Sequence, residues 1–261
     1  MIKAFLSCVF LSFWFLASGQ NYNASIDVNE DEFVIEYIAH ACFRIHTADH
    51  TIMIDPYADK VWIGYSFPTG LEADTVFITH PHYDHDGGIH LGKRPDWLNS
   101  SPFIMIPKKY SVGNIDVQGY TGLHAAPYGK EFSSMNAVWV FTIAGITICH
   151  IGDNGPITEE LLSQLPPIDI LMLPVDTHQH ILRKDALKDW IAKTGAKVVL
   201  PMHYRIDELE PEPEKLTSLG PVDYDFMNTY KVNTLKSNFI KYSRQRLPKQ
   251  TTFIVLDHYR K

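Results

Sequence analysis

Four residues that commonly bind metal ions lie within six positions of this chain. The segment 79–88 reads THPHYDHDGG and holds His80, His82, Asp84 and His85. Imidazole and carboxylate together suit zinc, iron or manganese. His80 and His82 are two residues apart and can point to the same side of an extended turn. Asp84 and His85 follow where the glycines at 87–88 permit the chain to tighten. The loop can therefore offer two ligands to one ion and two to a second ion nearby.

A site for two ions needs more ligands, and three other residues are candidates. Each follows a strand-like apolar run: His124 in TGLHAAPYG, Asp153 in HIGDNG and His203 in VVLPMHY. Active sites of α/β proteins usually lie at the carboxyl ends of strands. A lone histidine is more often a surface or core residue, but a cluster such as that at 80–85 needs partners. We therefore expect these three residues to converge on it.

The elements that must position these residues follow from hydrophobic patterning. In the first half, short β-branched runs bounded by turns predict strands. They cover 33–38, 42–45, 51–54, 75–79, 103–106, 115–118, 137–143 and 146–151. In the second half, strands at 168–173, 197–200 and 252–256 alternate with helices at 158–165, 185–193 and 225–242. Two sheets with helices outside them accommodate both patterns, which predicts an α/β fold.

The first nineteen residues have the pattern of a signal peptide. Lys3 precedes an apolar stretch at 4–17, and Ala17-Ser18-Gly19 offers small residues for cleavage. The stretch is short for a membrane span, although an uncleaved anchor is the alternative. We predict export to the periplasm or the exterior, with no stable membrane insertion after cleavage. A flexible lead-in at 20–32 and one domain at 33–261 would follow.

Composition limits the function further. The 261 residues are 45% hydrophobic and 20% charged, which is typical of a globular protein and excludes disorder. The net charge of −7, without a basic run, argues against nucleic-acid binding. A small-molecule substrate is expected instead. Cys42 and Cys149 lie in apolar runs, which favours two buried free thiols over a disulfide.

The motif HxHxDH with a later His, an Asp after Gly and a final His resembles the metallo-β-lactamase-fold superfamily of metallohydrolases. The sequence around these motifs is most similar to the lactonase-like branch of the superfamily, which includes ascorbate-6-phosphate lactonase and N-acyl-phosphatidylethanolamine phospholipase D relatives. The segments YIAHACFRI, MIDPY and PMHY favour that branch. The resemblance runs from Phe33 to Tyr204 and implies a four-layer αββα sandwich.

The resemblance also implies a role for each candidate ligand. The first metal would take His80, His82 and His124. The second would take Asp84, His85 and His203. Asp153 would bridge both ions and, with Asp84, carry the catalysis, whereas Asp55 would orient ligands without binding metal. The β-lactam-hydrolysing branch has a Cys where this chain has Asp153, which argues against β-lactamase activity.

Two divalent ions are therefore expected, with zinc preferred and Mn²⁺ or Fe²⁺ as alternatives. The resemblance implies that a hydroxide bridging the ions attacks an ester, lactone or phosphodiester. The sequence contains no GxSxG motif that would indicate a serine nucleophile instead.

Other residues are candidates for substrate contact. They are His40 between two predicted strands, and His178 and His180 after the strand at 168–173. The aromatic-rich loop 57–69 either covers an apolar pocket or is ordinary packing. Arg205 is either an anion contact or a surface residue.

Two rival functions use the same fold. One is a diiron redox protein, but the related flavin-dependent diiron oxidoreductases carry a Glu in the loop motif where this chain has His82, and they have an appended flavin domain. The other is a non-catalytic metal-binding protein, which would be expected to have lost ligands, and none of the seven is absent.

Overall fold

A computed structural model describes residues 27–89, 92, 102–125, 136–209 and 218–260. The predicted signal peptide at 1–19 and most of the lead-in at 20–32 lie outside these residues. The strands are β1 Phe33–Ala39, β2 Cys42–His46, β3 Thr51–Ile54, β4 Thr75–Phe77, β5 Phe103–Ile104, β6 Lys109–Val112, β7 Ile115–Gly122, β8 Asn136–Ile143, β9 Ile146–His150, β10 Ile170–Pro174, β11 Val198–Met202, β12 Lys231–Thr234, β13 Phe239–Tyr242 and β14 Thr252–Val255. The helices are α1 Tyr83–Asp86, α2 Glu159–Gln164, α3 Lys184–Thr194 and α4 Tyr224–Met227.

The strands form two mixed sheets, which confirms the expected α/β sandwich. The first sheet has the order β13-β1-β2-β3-β4-β5, and the second has the order β12-β14-β11-β10-β9-β8-β7-β6. Strands β6 to β9 are antiparallel, whereas β9, β10, β11, β14 and β12 run parallel. The predicted change from hairpins to alternating strands and helices is thus seen in the second sheet.

Large aromatic side chains join the two sheets. The ring of Phe77 on β4 lies 5.0 Å from the ring of Trp139 and 5.2 Å from that of Phe141, both on β8. The indole N–H of Trp139 donates to the carbonyl of Ile78 at 3.0 Å, which pairs a buried polar group. These contacts fix the end of β4 against the second sheet, where the histidine-rich loop begins.

The helices follow the signals in the sequence. Thr158 caps α2 by accepting a hydrogen bond from the Leu161 N–H at 3.1 Å. On α3 one apolar face is buried, including Leu187 and Trp190, and the helix ends at Gly195 with a φ of 69°. None of the described helices is both long and apolar enough to cross a membrane.

The prediction of one long helix at 225–242 is wrong. Only the short α4 is helical there, and it is followed by β12 and β13. β12 pairs with β14 at the edge of the second sheet, and β13 pairs with β1 at the edge of the first. The spacing of apolar residues in this stretch suits either structure, and the open edges of the two sheets favour strands.

Candidate metal centre

The histidine-rich loop begins where β4 ends and is shaped by a single helical turn. The backbone N–H groups of His85 and Asp86 donate to the carbonyl of His82 at 2.9 and 2.8 Å. The turn ends at Gly87, which has a φ of 63° that a glycine adopts at little cost. The loop thus holds His80 and His82 before the turn and Asp84 and His85 within it.

The structure brings all seven residues of the predicted ligand set together. Their ligand atoms fall into two clusters, in each of which all the atoms lie within 4.8 Å of one another. The first cluster contains His80, His82, His124 and Asp153. The second contains Asp84, His85 and His203, and it also contains His40, which sequence reasoning treated as a candidate substrate contact.

Asp153 lies between the clusters and turns one oxygen towards each. Its Oδ2 is 3.8 Å from His80 Nε2 and 3.6 Å from His124 Nε2. Its Oδ1 is 3.2 Å from the Nε2 atoms of both His85 and His203. A carboxylate in this position can hold two cations side by side.

Unpaired polar atoms test whether the site fits metal ions. Among the described residues, eight buried side-chain nitrogen or oxygen atoms make no hydrogen bond, and seven of them belong to this centre. They are His40 Nδ1, Asp84 Oδ1, His85 Nε2, His124 Nε2, Asp153 Oδ1 and both ring nitrogens of His203. Because buried polar atoms are nearly always paired, such a concentration of them fits a site that binds cations.

The charges of the site favour cations as well. Burial lowers the pKa of His80 well below its usual value and that of His82 to about 4, so that both rings are neutral, the form that binds metal. Burial alone would raise the pKa of Asp153, but His203 and His85 outweigh it and keep the carboxylate ionised. Burial alone would lower the pKa of His85, but the carboxylates of Asp153 and Asp84 raise it. The carboxylates therefore favour positive charge at this point of the centre.

Asp55 supports the second cluster from behind. It accepts hydrogen bonds from the backbone and hydroxyl of Thr79, both at 2.7 Å, and its Oδ2 lies 2.8 Å from His85 Nδ1. With its Nδ1–H donated to Asp55, His85 presents Nε2 to the centre. This arrangement agrees with the orienting role that the resemblance implies for Asp55.

His40 is fully buried and lies against Asp84. Its Nε2 is 3.1 Å from Asp84 Oδ2, and its backbone carbonyl accepts hydrogen bonds from the N–H of His203 at 2.8 Å and the hydroxyl of Tyr37 at 3.1 Å. It is not among the described residues that line the cavity over the site. The structure thus places His40 beside a candidate ligand and away from the substrate space.

A cavity of about 370 Å³ opens over the two clusters. Trp62 and Ile63 form one wall, and Ser218 and Leu219 lie on another. His180, a predicted substrate contact, lines the cavity and stacks on His203 with 5.7 Å between ring centroids. The other candidate on that loop, His178, is outside the described lining, and its Nδ1 lies 3.3 Å from the carbonyl of Ser218.

The aromatic-rich loop 57–69 divides into two groups of side chains. Tyr57, Tyr65 and Phe67 are buried in the core, which is the packing alternative. Trp62 is 46% exposed and lines the cavity, which is the pocket alternative. Nothing in the spacing of the aromatic residues separates the two groups, because the loop has no regular period.

Comparison with known proteins shows what the chain is similar to. The beta-lactamase superfamily domain matches residues 34–203. A metal-dependent hydrolase from Thermococcus onnurineus is 29% identical over 205 residues, which cover 71% of this chain and 91% of that protein. A metal-dependent hydrolase from Bacillus licheniformis is 26% identical over 195 residues, or 65% of this chain and 84% of that protein.

Solved structures share the fold. The crystal structure of a metallo-beta-lactamase superfamily protein from Thermotoga maritima matches with a TM-score of 0.64 and 25% identity, over 87% of this chain and 100% of that one. A metallo hydrolase from Ignicoccus hospitalis matches with a TM-score of 0.60 and 16% identity, over 81% of this chain and 99% of that one. The second likeness is one of fold alone.

Proposed function

The chain belongs to the beta-lactamase superfamily and is a metal-dependent hydrolase, and we propose that it binds two divalent ions, preferably zinc, and hydrolyses an ester, lactone or phosphodiester. The position of Asp153 carries this proposal. One of its carboxylate oxygens faces His80 and His124, and the other faces His85 and His203. A site for a single ion would not need a carboxylate shared in this way.

Each cluster supplies ligands of the types that zinc accepts. The first ion would be held by His80, His82 and His124 together with Asp153, and the second by Asp84, His85 and His203 together with Asp153. Two divalent ions held in this way would lower the pKa of a bound water molecule and would polarise the carbonyl or phosphoryl oxygen of a substrate. The carboxylates of Asp84 and Asp153 would offset part of the positive charge of the two ions.

The chain's own residues would orient the reactants, and Asp84 would accept a hydrogen bond from the attacking water. Asp84 lines the cavity, and its Oδ1 makes no hydrogen bond. Burial alone would raise the pKa of Asp84. The neighbouring His85 and the hydrogen bond from His40 outweigh this effect, so the pKa of Asp84 lies below its usual value. An ionised Asp84 can accept a hydrogen bond from water in the cavity and hold that water for attack.

The reaction is tested with a panel of lactones, carboxylic esters and phosphodiesters. We expect the metal-loaded protein to hydrolyse at least one of these classes. Removal of the metal by a chelator should abolish turnover, and Zn²⁺ should restore it. If a protein shown to contain two ions hydrolysed no member of the panel, the hydrolytic function would be rejected in favour of a non-catalytic metal-binding protein or a redox role.

A further inference from the structure

Trp62 is held at the mouth of the site by a strained but well-anchored loop. Lys60 and Trp62 have φ values of 55° and 53°, in the left-handed region that side chains other than glycine rarely adopt. The N–H of Lys60 donates to the carbonyl of Tyr65 at 2.8 Å, and the N–H of Phe67 donates to Asp59 Oδ1 at 2.8 Å. Such strain persists only where the surrounding structure enforces it, and it is concentrated at functional sites.

The same loop is also tied to the segment that follows β11. The hydroxyl of Tyr65 accepts a hydrogen bond from the N–H of Ile206 at 2.7 Å. Ile206 follows closely after His203 on the chain that leaves β11. The loop that carries Trp62 is therefore tied to the chain that follows the strand end presenting His203.

The indole ring itself stands beside the first cluster. Its centroid is 5.2 Å from that of the His82 ring and 5.4 Å from that of the Tyr83 ring, while 46% of the residue remains exposed. Ile63 and Leu219 also line the cavity. A half-exposed tryptophan with apolar neighbours, next to a candidate metal ligand, offers a surface that a ligand would cover.

The described side chains of the cavity offer no cationic partner for an anionic group that lies away from the metal ions. Asp84 and Asp153 are acidic residues of its lining, and the described lining includes no lysine or arginine. Arg205, the candidate anion contact, is paired with Asp207, with 2.7 Å between Nε and Oδ1. A phosphate held away from the ions would therefore have no lysine or arginine of the described lining to pair with it.

We infer that the substrate is a neutral carboxylic ester or lactone with an aromatic or bulky apolar group, which packs against Trp62 and Ile63. This inference rests on the proposed hydrolytic function and narrows its three substrate classes. The ring of the substrate would stack on or meet the edge of the indole, and the reacting carbonyl would face Asp84 and Asp153. Trp62 then determines specificity without taking part in the chemistry.

The test compares esters that differ only in their apolar group. Methyl acetate, benzyl acetate and methyl phenylacetate are hydrolysed by wild-type protein, Trp62→Ala, Trp62→Phe and Leu123→Ala. Leu123 is a matched control because it is exposed and adjoins His124 but is not among the described lining residues. We expect a preference for at least one benzyl-bearing ester of about tenfold or more in kcat/KM, carried mainly by KM.

The variants distinguish loss of the apolar contact with Trp62 from a general loss of activity. Trp62→Ala should lose that preference, so that its kcat/KM for the benzyl-bearing ester falls to about its own value for methyl acetate, and Trp62→Phe and Leu123→Ala should keep it. Equal rates for all three esters in wild-type protein, or a preference unchanged in Trp62→Ala, would overturn the inference. So would faster hydrolysis of a phosphorylated ester than of its neutral counterpart.

A binding measurement distinguishes failure of this inference from failure of the proposed function. N-benzylacetamide is neutral and resists hydrolysis, and its binding to metal-free protein is followed by tryptophan fluorescence. We expect quenching in wild-type protein that is lost in Trp62→Phe, which lacks the indole, with N-methylacetamide giving none. Binding without hydrolysis of any ester would retain the wall and reject the hydrolase. Hydrolysis without binding of N-benzylacetamide and without an ester preference would retain the hydrolase and reject the role of Trp62.

Discussion

At the scale of single residues, the centre depends on backbone conformations that side chains rarely adopt. His40, Asp55 and His203 have φ values of 57°, 46° and 57°. Each such residue costs about 1–3 kcal/mol, which the surrounding hydrogen bonds must offset. The seven candidate ligands could be predicted from the sequence because the loop at 80–85 sets the pattern. The place of His40 could not, since no motif in the sequence links it to Asp84, which its Nε2 contacts across 44 positions of the chain.

His40 provides a prediction at this scale. Replacement of His40 by Leu removes the N–H that faces Asp84 Oδ2 and should weaken binding of the second ion by about 10- to 100-fold. His40→Gln keeps a donor of similar reach and should retain most of the affinity. Calorimetric titration of the metal-free proteins with Zn²⁺ measures both sites. Equal loss in the two variants would attribute the effect to packing, and no loss in either would refute the orienting contact.

At the scale of elements, the candidate ligands follow the ends of strands, and the tight turns there tolerate only certain residues. After β9 the chain passes through Gly152, with a φ of 55°, to reach Asp153. A Cβ on Gly152 would lie 2.5 Å from Thr79 Oγ1 and 2.7 Å from Asn136 Oδ1. The GD motif was visible in the sequence, but this close approach was not, because it joins three separate segments. The pairing of β12 with β14 and of β13 with β1 could not be predicted either, because each pair joins separate segments of the chain.

Two glycine variants separate crowding from backbone strain. Gly145, in the β8–β9 hairpin, has a φ of 71°, and a Cβ there would meet nothing within 4 Å. Gly145→Ala should cost about 1–2 kcal/mol of unfolding free energy from conformation alone. Gly152→Ala should cost more and should also weaken metal binding, because Asp153 is displaced. Urea unfolding and metal titration measure both effects. Equal stability losses together with unchanged metal binding would contradict this account of the turn.

The β1–β2 pair contains a buried ionic group that predicts a pH dependence. Glu36 bonds Arg44 at 2.7 Å and His46 Nε2 at 3.0 Å. Burial lowers the pKa of His46, an effect to which the charge of Arg44 adds and which the bond to Glu36 opposes. The folded state therefore binds this proton less readily than the unfolded chain.

The contribution of His46 to stability is complete above its unfolded pKa of about 6.5 and is lost as the pH falls towards its lower folded value. One such group changes the unfolding free energy by at most about 1.4 kcal/mol per pH unit. His46→Gln should therefore show a shallower loss of stability than wild type below about pH 6.5. Urea unfolding at several pH values provides the comparison, and identical slopes would exclude His46 as the source.

At the scale of the whole molecule, two sheets bring residues from position 40 to position 203 to one edge. The sandwich could be predicted because strand patterning and the ligand motif agree. The cavity could not, since its walls come from irregular loops. The two cysteines outside the predicted signal peptide lie in different sheets, Cys42 on β2 and Cys149 on β9, and both are buried and free.

Export and the cysteines give a further prediction. We propose that the chain is processed after Gly19, so that a mass spectrum of protein secreted by its natural host would begin at Gln20. Burial raises the pKa of both thiols, which keeps them unreactive. A thiol reagent should therefore label neither Cys42 nor Cys149 in the folded mature chain and both after unfolding. An intact N-terminus would contradict cleavage, and fewer than two thiols after unfolding would indicate oxidation.

The central claim is that one carboxylate, Asp153, organises two metal ions. The most direct measurement is the metal content of the purified mature protein by inductively coupled plasma mass spectrometry, with wild type beside Asp153→Asn. The account predicts close to two Zn²⁺ ions per wild-type chain and a marked fall in the variant, although the variant keeps the fold. Less than about half an ion per chain after reconstitution with Zn²⁺, Mn²⁺ or Fe²⁺, or an unchanged content in Asp153→Asn, would contradict it.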